Sequence, residues 1–224
     1  MNVREVTGVV LSLNGGRPIE PTYFTGRDRP DWLADDPVYH RKKALIDENG
    51  LSVWRYHDHM HIGSGDLIYD GLLQDLGWEP YLVTGRPDPH CYVIPPAPLG
   101  ELVDFFKEKL GMSVVRVVGK TDLTCRRVGI LVGGGSLGLG VEEMPAKLMN
   151  DENLDVMVCG EITEWTLSAY VRDAAQLGFD KAMIIVGHER SEEPGMKALA
   201  ATLRPLLHGT PVTFVASGEP FVYL

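Results

Sequence analysis

Short β-rich runs alternate with helix-length periodic runs along nearly the whole chain, and this alternation limits the fold more than any other feature. Apolar or β-branched runs at 6–13, 51–56, 91–94, 114–118, 128–132, 155–159, 182–186 and 211–216 predict strands. Helices are expected between them. Asp36-Pro37 offers an N-cap followed by proline in the first turn, and Asn49-Gly50 offers the stop. Asp66 precedes Leu67, Ile68, Leu72, Leu73 and Leu76, which share one face, and Gly77 ends the run. Further helices are expected over 99–110, 163–177 and 194–207. Such alternation predicts an α/β fold with mixed sheets flanked by helices. The proline-rich stretch 86–98 is the best lobe boundary.

Composition narrows the function classes. The chain has 224 residues, enough for one larger domain or two small intertwined lobes, with a core that needs no disulfides. Its 21 basic and 31 acidic residues give a net charge of −10. A chain this acidic has no bulk attraction for nucleic acid or an anionic membrane. The three cysteines, Cys91, Cys125 and Cys159, are far apart and contain no CxxC pair. That argues against a disulfide framework and a thiolate zinc site, and fits a reducing cytoplasm. No run approaches the ~18 apolar residues of a membrane helix.

Three segments carry the candidate chemistry. In Tyr56-His57-Asp58-His59-Met60-His61, three of the seven histidines fall within five residues, directly after an expected strand. In an extended chain His57, His59 and His61 share a face. Imidazole is the commonest protein ligand of zinc, iron and nickel, so the density points to metal; the plain alternative is a solvated loop. The second segment is Gly187-His188-Glu189-Arg190-Ser191-Glu192-Glu193. It stands where an expected strand ends, the ligand-binding end in α/β folds. One turn would aim His188 and Glu192 at a common point, and Glu192 has two oxygens with which to bridge cations. The alternative is an acidic helix start. The third is Gly133-Gly134-Gly135-Ser136-Leu137-Gly138, which matches G-x-G-x-x-G. A dinucleotide site also needs a long helix directly after it and an acid about 20 residues on. Gly140 and Pro145 interrupt the helix, and Glu161 is 28 positions from Gly133. A tight glycine turn that closely approaches another site fits better. Arg17, Arg27, Arg29 and Arg190 are available to receive a small anionic substrate, against the simpler reading of a solvated surface.

Together these segments resemble the dinuclear-metal-centre hexameric family, the Ngg-interacting-factor-three-like proteins, many labelled GTP cyclohydrolase I type 2 homologues. The resemblance runs from about Glu20 to the C-terminus. Gly187-His188-Glu189-Arg190-Ser191-Glu192 resembles the family's closing motif, whose His and Glu ligate metal. Cys159-Gly160-Glu161-Ile162 resembles its Thr/Ser-Gly-Asp/Glu stretch, and Gly133-Gly134-Gly135-Ser136 its glycine turn. His57 falls on the His of the family's His-Thr-x-x-Asp motif, and His61 on its Asp. Ile19-Glu20-Pro21 falls on the first metal motif, with Ile19 in place of a His and Glu20 still able to bind. The family also carries a longer N-terminal α/β segment, so the N-terminal lobe reads as shortened, whether trimmed or truncated.

The resemblance implies two interleaved lobes, residues 1–89 with 181–224 and an inserted 90–180, assembled as a homo-oligomer, a hexamer. It implies one or two divalent ions per chain (zinc, iron, nickel or manganese) on Glu20, His57, His61, His188 and Glu192. In a hydrolase, bound metal would acidify water, and Asp58 or Glu189 would move protons. The substrate expected is a nucleotide or related phosphorylated small molecule. The competing expectation is a non-catalytic metal-binding assembly or interaction protein.

Overall fold

A computed structural model describes residues 8–12, 31–56, 60–61, 65–85, 91–218 and 220–224. Its contacts divide the chain into two units, Met1–Asp66 and Leu67–Leu224.

In the first unit, β1 (Gly8–Ser12) pairs in parallel with β2 (Leu51–Arg55). A parallel pair needs a crossover, and α1 (Pro37–Glu48) lies between the two strands in sequence. Its start is fixed locally. Asp36 keeps extended backbone, its side chain accepts the Tyr39 N–H at 2.7 Å, and Pro37 takes the first helical position, where no N–H is needed.

The second unit is built on a five-stranded mixed sheet of order β3-β5-β6-β7-β4. The strands are β3 (Cys91–Pro98), β4 (Arg116–Gly119), β5 (Thr124–Leu131), β6 (Val156–Cys159) and β7 (Ala182–Ile185). The parallel members β5, β6 and β7 occupy the middle; β3 and β4 run antiparallel at the edges. Every residue of β6 and β7 is buried, as parallel strands covered on both faces require. Met157, Cys159, Met183 and Ile185 enter one core with Leu131, Met149, Leu167 and Val171. β3 contains Pro95 and Pro96, which cannot donate to a ladder. It lies at an edge, and its register shifts between Val93 and Ala97.

The helices are α2 (Leu67–Leu76), α3 (Leu99–Lys109), α4 (Met144–Asp151), α5 (Leu167–Gln176) and α6 (His188–Leu203). α2 and α6 pack at two glycines. A Cβ on Gly71 would lie 2.6 Å from the Gly195 Cα, and one on Gly195 would lie 2.6 Å from the Ile68 Cα. Small residues at both positions let α6 lie close against α2.

Two expected elements differ. The last helix begins at His188, not at 194, and Pro194 lies inside it. Gly187, at φ 93°, turns the chain directly from β7 into the helix. Residues 211–216 form no strand, because no neighbouring chain supplies a ladder among the described residues. No helix of the described residues is long and apolar enough to cross a membrane.

Candidate metal centre

The three central strands end side by side, and their following loops are stitched together. Gly160 N–H donates to the Leu131 carbonyl at 2.9 Å, Glu161 N–H to that of Gly133 at 2.8 Å, and Gly187 N–H to that of Gly160 at 3.1 Å. From α2, the Tyr69 hydroxyl donates to the Ile130 carbonyl and accepts from the Val132 N–H, each at 3.2 Å. This fixes β5 just ahead of Gly133.

Glycine is required in this rim. Gly133 has φ 50°, and a Cβ there would lie 1.9 Å from Glu192 Oε1 and 3.0 Å from His188 Nε2. A Cβ on Gly160 would lie 2.4 Å from the Gly133 backbone nitrogen. The triple-glycine turn is therefore a close-approach element beside the Glu192 carboxylate. It opens a six-residue 3-10 segment, 135–140, not the long helix of a dinucleotide site.

α6 brings the other half. His188 is its first residue and Glu192 stands one turn on. Ser191 ties that turn to the glycine loop, accepting the Gly133 N–H at 2.9 Å and donating to the His188 carbonyl at 2.7 Å. Glu192 is 2% exposed. Its Oε2 lies 3.3 Å from His188 Nε2, an ionic contact, yet it has no aligned hydrogen-bond donor. On the other side of the ring, His188 Nδ1 is 2.8 Å from Glu161 Oε1. The adjacent Glu192 carboxylate, with Glu161 adding to it and partial burial opposing, raises the His188 pKa from 6.5 to about 9. The two carboxylates thus favour the protonated His188 ring when no metal is bound.

These residues fit a divalent metal. A buried carboxylate needs positive charge beside it, and at the Nε2 side of His188 either a ring proton or a metal ion would supply it. A carboxylate oxygen beside an imidazole nitrogen suits zinc, iron, nickel or manganese. A second carboxylate on Nδ1 fixes the tautomer that presents Nε2. Among the described residues no group of three or more His, Cys, Asp and Glu side chains converges as a complete metal site.

The remaining sequence candidates are placed as follows. Glu20, His57 and Asp58 lie outside the described residues. Met60 and His61 are helical, so the extended alternation does not reach His61. His61 Nδ1 lies 2.7 Å from Asp66 Oδ2. Glu189 stands half-buried between His188 and Glu192 in sequence. Arg190 Nη1 donates to Glu193 Oε2 at 3.1 Å, while its buried Nε has no hydrogen-bond partner among the described residues. Glu161 as partner of His188 is the residue that sequence reasoning missed. Its signal was the Gly160-Glu161 pair at the end of a strand.

The model of the Duf34/NIF3 (NGG1p interacting factor 3) family matches residues 33–219. The chain belongs to this family. The NIF3 fold is also seen in solved structures at low identity. Protein ybgI, of unknown function, is 19% identical with a TM-score of 0.63, covering 95% of this chain and 76% of its own. Staphylococcus aureus hypothetical protein SA1388 is 15% identical with a TM-score of 0.64, covering 98% and 88%. A Bacillus cereus protein related to NIF3 is 12% identical with a TM-score of 0.64, covering 97% and 88%. No curated protein matches the chain in sequence. At these identities the likeness to solved structures is one of NIF3 fold alone.

Proposed function

We propose that this NIF3-family chain is a divalent-metal-centre protein and a metal-dependent hydrolase of a nucleotide or related phosphorylated small molecule. The observation that carries the reading is the buried Glu192 carboxylate, with an unmatched oxygen, beside the Nε2 of a histidine whose Nδ1 is already held by a carboxylate. Glu20, His57 and His61 are proposed as the further ligands, on the motif resemblance. The motif resemblance also supports a GTP cyclohydrolase I type 2-like reaction and a homo-oligomeric, hexameric assembly, and the three free cysteines support a cytoplasmic location.

Bound metal would supply Lewis acidity and a water acidified toward neutrality. The chain's own contributions are distinct. Glu161 orients the His188 ring, Ser191 holds the first turn of α6 against Gly133, and Glu192 contributes negative charge from a desolvated position. Glu189 and Asp58 are the proposed proton carriers. The test is a screen of nucleotides and phosphoesters with metal-loaded protein. Turnover that vanishes with a chelator and in His188→Ala supports the hydrolase. Metal uptake through His188 without any turnover supports a metal-binding assembly instead.

A further inference from the structure

A groove of about 360 Å³ opens at the same rim of the five-stranded sheet, on the side away from β5. That volume falls in the range of small-molecule sites. Its less exposed walls are mostly apolar, with Val118 from β4, Ile162 from the loop after β6, Ala169 from α5 and Ile185 at the end of β7, and the buried Ser168 also lines it. Its exposed rim carries Arg116 and Arg172, with Glu164 also lining it. The guanidinium of Arg116 has no partner among the described residues. Arg172 uses Nε and Nη2 on Asp173, at 3.0 and 2.8 Å, which leaves its Nη1 to donate.

The groove adjoins the metal-centre residues through the sheet. Ile162 follows Glu161 directly, and the β4–β7 register sets Arg116 opposite Ile185, three residues before His188. Opposed residues sit about 5 Å apart and three residues span at most about 11 Å, so Arg116 and His188 lie within roughly 16 Å, Cα to Cα.

We infer that this groove binds a planar organic phosphate of nucleoside-monophosphate size. The phosphate sits between Arg116 and Arg172, and the ring lies on Val118, Ile162, Ala169 and Ile185. Guanidinium forks match phosphate oxygens. Apolar walls favour a ring over a free inorganic anion. Glu164 accepts from ring N–H groups and would repel a second anionic group. As the place where a substrate is held, the groove rests on the hydrolase reading; as a binding site it stands without metal.

The test is isothermal titration of the full chain, freed of metal by chelation, with guanosine monophosphate, phenyl phosphate and inorganic phosphate. The two ring-bearing phosphates are expected to bind, with inorganic phosphate about tenfold weaker or more. Arg116→Gln and Arg172→Gln should each weaken them about tenfold, and Arg116→Glu more. Both arginines are exposed, and the melting temperature of each variant checks its fold. No binding of either ring-bearing phosphate at millimolar concentration overturns the inference, as does binding that ignores both arginines. Affinity that requires metal and His188 assigns the anion to the metal centre and also overturns it. Failure of the metal reading is separate: the protein would take up no metal, while arginine-dependent binding of guanosine monophosphate would persist.

Discussion

His61 and His188 are held by the same device in two different units of the chain. Each places Nδ1 on a carboxylate, Asp66 at 2.7 Å and Glu161 at 2.8 Å. The surroundings differ. Asp66 is five residues from His61 in sequence, whereas Glu161 reaches His188 only because β6 and β7 pair in parallel and their loops are stitched. His188 also has the buried Glu192 on its Nε2 side, with the Gly133 backbone close against that carboxylate and Gly160 packed on Gly133 in turn. The comparison teaches where the cost lies. A locally made His–Asp pair asks little of the fold. The His188 arrangement uses three strand ends, a glycine turn at positive φ and a desolvated charge.

The largest effect is expected from closing the glycine cradle. Gly133→Ala forces a Cβ against Glu192 at positive φ and should destabilise the fold by at least about 2 kcal/mol, measured by urea melts. It should also abolish metal uptake. An unchanged melt would mean that the rim is slack and the contrast with His61 is empty. Next, Glu161→Gln should weaken metal binding about 10- to 100-fold, the usual cost of losing a partner behind a ligating histidine. Asp66→Asn measures whether His61 ligates too. A matching loss would make the two histidines equivalent; an unchanged affinity would leave His61 a structural residue.

A pH titration sharpens the same contrast. In chelated protein the raised His188 pKa stabilises the fold fully below 6.5, and that contribution is lost as pH rises through about 9. The melting temperature should therefore fall across this window, and less so in Glu161→Gln. NMR should show the His188 ring titrating near 9; titration near 6.5 would contradict the ion-pair geometry. The smallest effect concerns Cys159, beside the rim. Burial pushes its thiol up to about 12, against a weaker opposing bond from Ser136. Native protein should therefore resist thiol reagents at pH 8 and react on unfolding.

The sequence was most readable where structure is made locally. Asp36 and Pro37 specify the start of α1 within four residues, and the all-apolar runs of β6 and β7 report burial on both faces. His188 and Glu192 were readable because one helical turn joins them. The start of α6 was misread because proline usually marks a first turn, and Pro194 suggested a start there. Gly187 and the Ser191–Gly133 contact, which only the folded chain supplies, settle the matter six residues earlier. Glu161 belongs to a short motif in the sequence, but its role depends on strand pairing across 27 residues. The apolar run at 211–216 has strand propensity and no partner, so propensity alone misled. The fit of Gly71 against Gly195 left no periodic trace.

The central claim is that His188 and Glu192 hold a divalent metal. Elemental analysis of protein purified without chelator and reloaded with zinc, iron, nickel or manganese tests it most directly. The account predicts at least one metal per chain in the wild type and its loss in folded His188→Ala and Glu192→Gln. Less than about half a metal per wild-type chain, or full retention in both variants, would contradict it.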